Sequence, residues 1–72
     1  MSVLDFEYLR TFLRERSGLV LSPDKQYLAE SRLLPLARAA GLTGVAELVQ
    51  TLRRPETEAL ATQVVEAMMP DP

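Results

Sequence analysis

The sequence has neither cysteine nor histidine. Their absence excludes disulfides, thiolate chemistry, imidazole bases and the commonest zinc sites together. Any chemistry would have to rest on carboxylates, lysine and hydroxyls. Long apolar runs are also missing, since none approaches the ~20 residues of a membrane span. The opening MSVLDFEYLR carries acids where a secretory signal needs a basic start and an apolar stretch. The expectation is a soluble cytoplasmic protein or fragment without membrane insertion. Size sets a further limit: 72 residues make one domain, and a chain this short buries only about 60% of the surface its unfolded form exposes. There is room for a core but hardly for an enclosed active site as well.

The net charge of −2 is unevenly distributed along the chain. Residues 10–38 hold six cations, Arg10, Arg14, Arg16, Lys25, Arg32 and Arg38, against three acids, for +3. Residues 39–72 hold Arg53 and Arg54 against five acids, for −3. An acidic partner would therefore meet the N-terminal half. The competing reading is ordinary charge scatter over a solvated helical surface.

Apolar spacing is helical nearly everywhere, and the fold class it implies is all-α: a compact bundle of four short helices. Phe6, Leu9 and Leu13, widened by Phe12, define helix 1 from Val3 to Ser17. Ser2 caps it, Asp5 and Glu7 suit its positive end, Arg14 and Arg16 its negative end, and Gly18 supplies a left-handed exit. Leu19-Val20-Leu21 reads as an extended connector pinned into the core. Helix 2 starts with Ser22 as cap, Pro23 at the first helical position and Asp24 beside the dipole. Pro35 cannot donate to the Ser31 carbonyl and crowds it, so helix 2 should kink or break around Arg32 to Leu34. Gly41 ends the segment after Pro35. Thr43 caps helix 3, with Val45, Leu48, Val49 and Leu52 as its stripe. Pro55 opens helix 4, which Leu60, Val64 and Met68 line and Pro70-Asp71-Pro72 stops.

No carboxylate pair stands out as an acid and base set, because the acids mostly sit in first turns where dipole effects account for them. Gly41-Leu42-Thr43-Gly44 lacks the preceding strand and the spacing of a phosphate loop and reads as a turn between helices. Tyr8 and Tyr27 read as half-buried bundle residues with wet hydroxyls. The cations of helix 2 remain. At roughly 100° per residue Lys25 and Arg32 point nearly the same way, and an unbroken helix turns Arg38 away from both. Nucleic acid is set aside as a partner, since binding it calls for a clearly basic domain.

An aromatic and leucine helix ending in ERSGLVL comes first. Lys25, ESRLLPLAR, a Gly-Leu turn and a helix of the VAELVQTL kind come after it in order. This arrangement resembles the N-terminal helical domain of chemotaxis receptor methyltransferases, the CheR family. The likeness covers nearly the whole chain, and Ser17-Gly18-Leu19, Leu21, Lys25, Ser31-Arg32-Leu33 and Gly41-Leu42 carry most of it. It implies a domain that packs on a larger α/β domain, which binds S-adenosylmethionine and methylates glutamates on the cytoplasmic helices of chemoreceptors. It also implies that Lys25, Arg32 and Arg38 face the acidic methylation region of the receptor. Where richer family versions carry further arginines, this chain has Leu34-Pro35-Leu36, which leaves a sparser basic ridge.

The Asn-Glu-Thr and Phe-Phe-Arg stretch that begins the family's cofactor-binding region is not found here. The strands and glycine-rich turn of a nucleotide-type fold are also lacking. The catalytic domain is therefore expected to be absent, with no catalytic, cofactor-binding or metal residue in this chain. The function this implies is substrate recognition for a protein-glutamate O-methyltransferase in chemotaxis. A different class stays open: a stand-alone helical adaptor or dimerisation module in bacterial signalling. If the chain was cut from a larger enzyme, apolar surface around Val65, Met68 and Met69 should be exposed and should favour self-association. For helix 2 the competing reading has three parts. Pro35 divides two helices, Arg32 pairs with Glu30 or Asp24, and Arg38 serves only the helix C-terminus.

Overall fold

Ser2 and Asp5 open the first helix by serving each other. The Asp5 amide donates to the Ser2 hydroxyl at 3.2 Å and the Ser2 amide to the Asp5 carboxylate at 3.4 Å, so two otherwise orphaned N–H groups are satisfied at once. The helix they start, α1, spans Val3–Ser17, and Gly18 ends it at φ 77° with its N–H on the Arg14 carbonyl. A computed structural model describes residues 1–69 of the chain. The Pro70-Asp71-Pro72 stop expected for helix 4 lies outside them. Phe6, Leu9, Phe12 and Leu13 are buried as their spacing requires. The connector behaves as expected at its ends, with Leu21 buried and Leu19 half-buried, while Val20 is 75% exposed.

Helix 2 is divided, but near its start and not at its proline. Pro23–Lys25 form one 3-10 turn, closed by the Lys25 amide on the Ser22 carbonyl at 3.0 Å, and α2 proper spans Gln26–Ala39. Ser22 makes no side-chain capping bond, contrary to expectation. The Lys25 amide it would have capped is already bonded to Ser22's own carbonyl. Pro35 sits inside α2, which is not broken there. Both Ser31 and Pro35 are exposed, so solvent can satisfy the carbonyl that Pro35 leaves without a donor. The helix closes with Leu42 N–H on Ala37 O at 2.9 Å and Gly41 N–H on Arg38 O at 3.0 Å, Gly41 lying at φ 79°. This pair of bonds is a Schellman motif, with half-buried Leu42 as its apolar contact.

The next helix, α3, spans Val45–Leu52 and buries all four residues of its expected stripe. Its N-cap is Gly44 and not Thr43, whose hydroxyl instead donates to the Glu47 carboxylate at 2.6 Å. The last, α4, spans Glu58–Met68 and begins three residues after Pro55. Arg53 to Glu56 form a turn, and the Thr57 hydroxyl donates to the Arg54 carbonyl at 2.8 Å within it. Residues before a proline resist helical geometry, which favours the turn at Arg54. On α4 the buried stripe is Ala61, Val64 and Met68, with Leu60 and Val65 half-buried, so Leu60 is displaced from its expected core place.

These four α-helices, with no strand among the described residues, are the expected all-α bundle. Pairing follows side-chain size: α2 turns Ala29, Leu33 and Ala37 inward, at steps of four, and packs most extensively on α4, where Ala61 is buried. Small residues on both helices permit close approach. In turn, α3 packs on α1 and α2. Leu9, Leu13, Leu33, Leu48, Val49 and Val64 are fully enclosed, each worth about 1.5–3 kcal/mol of burial before chain entropy is subtracted.

Candidate partner-binding groove

Packing divides the cations into those engaged within the fold and those left for a partner. Arg16 forms a bidentate pair with Glu58 at 2.6 and 2.8 Å, joining the end of α1 to the start of α4, and its guanidinium lies 5.2 Å over the Phe12 ring. The Arg16 guanidinium holds the Glu58 carboxyl below its ordinary range, and Glu58 raises Arg16 in return. Arg10 donates to the Leu21 carbonyl at 2.7 Å and to Glu7 at 2.8 Å, which ties the connector to α1. Arg53 stacks 4.7 Å over Tyr8 and lies 3.6 Å from Asp5. Among the described residues, Arg14, Lys25, Arg32, Arg38 and Arg54 form no ion pair. The internal partners considered for Arg32 are engaged elsewhere. Glu30 faces the N-terminal ammonium at 3.4 Å, and the Ser22 hydroxyl with the Asp24 amide holds the Asp24 carboxyl below its usual range.

Lys25 and Arg32 line one open groove of about 280 Å³. Leu28 lies between them in sequence, and Leu19 and Leu21 of the connector and Met68 from the end of α4 also line it. The Pro23–Lys25 turn does not spoil the alignment that helical spacing implied. Arg38 is exposed in the last turn of α2, outside the groove, as an unbroken helix requires. There its charge favours the negative end of the dipole. The sequence reading left out Leu28, although it was in reach, standing three residues after Lys25 and four before Arg32. It placed Met68 on the inner stripe of helix 4 and did not join it to Lys25 and Arg32, since that depended on how α4 packs.

The groove offers positive charge beside apolar surface, and no cluster of acids suited to a metal occurs among the described residues. Such a surface can orient an anionic partner. The apolar patch expected around Val65, Met68 and Met69 is reduced to one exposed residue: Met69 is 47% exposed, Val65 is half-buried and Met68 is in the core. Tyr27 is 65% exposed, not half-buried. Tyr8 is half-buried and its hydroxyl donates to the Leu52 carbonyl at 3.3 Å.

Residues 4–69 match the family described as CheR methyltransferase, all-alpha domain. The chain belongs to that family. This CheR-family domain is 43% identical over 65 residues to a chemotaxis protein methyltransferase of Pseudomonas putida, covering 90% of this chain and 24% of that protein. It is 42% identical over 64 residues to chemotaxis protein methyltransferase 1 of Pseudomonas aeruginosa, covering 89% and 23%. A chemotaxis protein methyltransferase of Vibrio anguillarum is 34% identical over 70 residues, covering 94% and 26%. The chain thus spans about a quarter of the length of the curated relatives it matches. No solved structure matches it. No helix of the described residues is long and apolar enough to cross a membrane.

Proposed function

We propose that this domain is the substrate-recognition part of an S-adenosylmethionine-dependent protein-glutamate methyltransferase acting on chemoreceptors in the cytoplasm. In this reading Lys25 and Arg32 meet acidic side chains on a receptor helix. The observation that carries the reading is their convergence on one groove with no ion pair to an internal carboxylate among the described residues. The family membership supports the enzyme class. The cofactor and the methyl transfer fall to the rest of such an enzyme. In this reading Gly18, Gly41 and Gly44 serve helix ends rather than a cofactor-binding turn.

Exposed ion pairs are worth about 0.2–1 kcal/mol each, so the groove orients a substrate more than it holds one. The test joins this domain to a methyltransferase domain and measures receptor methylation for Lys25→Ala, Arg32→Ala and the double variant at low and moderate salt. The expected outcome is a rise in KM of about two- to fivefold per charge, smaller at higher salt, with kcat nearly unchanged. Arg38→Ala, outside the groove, should change KM less than either. Unaltered methylation by the double variant would refute the reading.

A further inference from the structure

Two surface grooves share the connector between α1 and α2 as a common wall. Val20 and Leu21 line both, with Arg10, Thr11 and Arg14 of α1 on one side and Lys25, Leu28 and Arg32 on the other. Between the two sets of cations Val20 stands 75% exposed and contributes nothing to the core. The connector is not a loose strap: Leu21 is buried beneath it, and Arg10 holds its carbonyl at 2.7 Å. Arg14, unlike Arg10, has no ion pair among the described residues.

We propose that the partner surface is a saddle across this connector, in which Val20 packs on an apolar side chain of an acidic helix. Arg14 on one flank and Lys25 with Arg32 on the other meet carboxylates to either side of that contact. The saddle rests on the recognition role of Lys25 and Arg32 and extends it to α1. Charge complementarity selects the occupant. Glu7, the one acid lining either groove, is tied to Arg10 at 2.8 Å, and Asp24 lines neither. A lipid surface fits less well, because Val20 is the only large apolar side chain lining either groove that is exposed.

The experiment measures binding of the 72-residue chain to a labelled synthetic helix with glutamates on one face around a central leucine, at low and physiological salt. Val20→Ser should weaken binding about tenfold with an unchanged salt dependence, since it removes apolar contact alone. Arg14→Ala should weaken it about two- to fivefold with a shallower salt dependence. Both positions are exposed, so the helical circular dichroism should stay that of the wild type. If Lys25→Ala and Arg32→Ala weaken binding while Val20→Ser and Arg14→Ala do not, the saddle is wrong and the recognition reading stands. If none of the four matters, both fall; a wild type that does not bind the peptide overturns the saddle, whose apolar contact is what should hold it. Tighter binding to phosphatidylglycerol vesicles than to the peptide overturns the saddle in favour of a lipid surface.

Discussion

Gly41 and Gly44 stand in one turn, and the structure assigns opposite signs to replacing them. A Cβ built at either meets nothing within 4 Å, so contact with neighbours drops out of the comparison and the backbone decides. Gly41 lies at φ 79°, where an L-residue costs about 1–2 kcal/mol. Alanine returns about 0.4–1 kcal/mol of that by restricting the unfolded chain, so Gly41→Ala should lose about 1 kcal/mol net. Gly44 has an extended backbone at φ 178° and is the N-cap of α3 without any side-chain capping bond. Gly44→Ser keeps the entropic gain and adds a hydroxyl acceptor worth a few tenths over glycine, for about 0.5–1 kcal/mol of added stability. In a domain of this size 1 kcal/mol moves Tm by about 4–8 °C. Thermal melts followed by helical circular dichroism should therefore place the variants on either side of the wild type, separated by roughly 6–15 °C. Gly41→Ala melting at or above the wild type, or Gly44→Ser melting below it, would show that the turn is not held as described.

Packing and charge give two further outcomes. Leu33, wholly buried at the centre of α2's inner face, should cost about 2–5 kcal/mol as Leu33→Ala. That is a large share of the stability of so small a domain, and a urea-denaturation loss below about 1 kcal/mol would contradict close packing of α2 on α4. Glu58 titrates below its ordinary 4.5 in the folded state because of Arg16. Its depressed folded value means that the pair's stabilisation is complete above that ordinary value and disappears as pH falls through the folded one. Urea midpoints of the wild type and Glu58→Gln should differ at neutral pH, converge in strong acid, and differ less at high salt. A difference that persists in acid would assign the effect to something other than this carboxylate.

Helix ends were legible where one local preference acted without competition. Ser2 with Asp5, Gly18 and Gly41 are such places, because each satisfies orphaned groups or a left-handed backbone within its own turn. Starts went astray where several acceptors or geometries competed. Ser22 lost its capping role to its own carbonyl, Thr43 turned to Glu47, and Pro55 entered a turn before α4. Pro35 was the reverse case: its local penalty is real, but it falls on an exposed face of a helix whose other side buries Ala29, Leu33 and Ala37. Of the candidate binding residues, the Lys25 and Arg32 alignment was legible as helical spacing. Arg38 depended on whether α2 continued past Pro35.

By itself the sequence determined an all-helical chain, its Val45-Leu48-Val49-Leu52 core stripe, the exclusion of thiol and imidazole chemistry, and the resemblance to the CheR family. Each of these depends on residue identity or on spacing within a few turns, which local geometry turns directly into structure. Only the tertiary structure decided which cations the fold uses. Arg16 meets Glu58 across 42 positions of sequence, Arg10 is used on the connector, and Arg53 stacks on Tyr8, while Lys25, Arg32 and Arg14 form no ion pair among the described residues. It also left Val20 exposed between two grooves while burying Leu21 beside it. The physical reason is reach: a charge finds its partner through the three-dimensional packing of helices, and a pairing over 42 positions leaves no trace in the spacing of either helix.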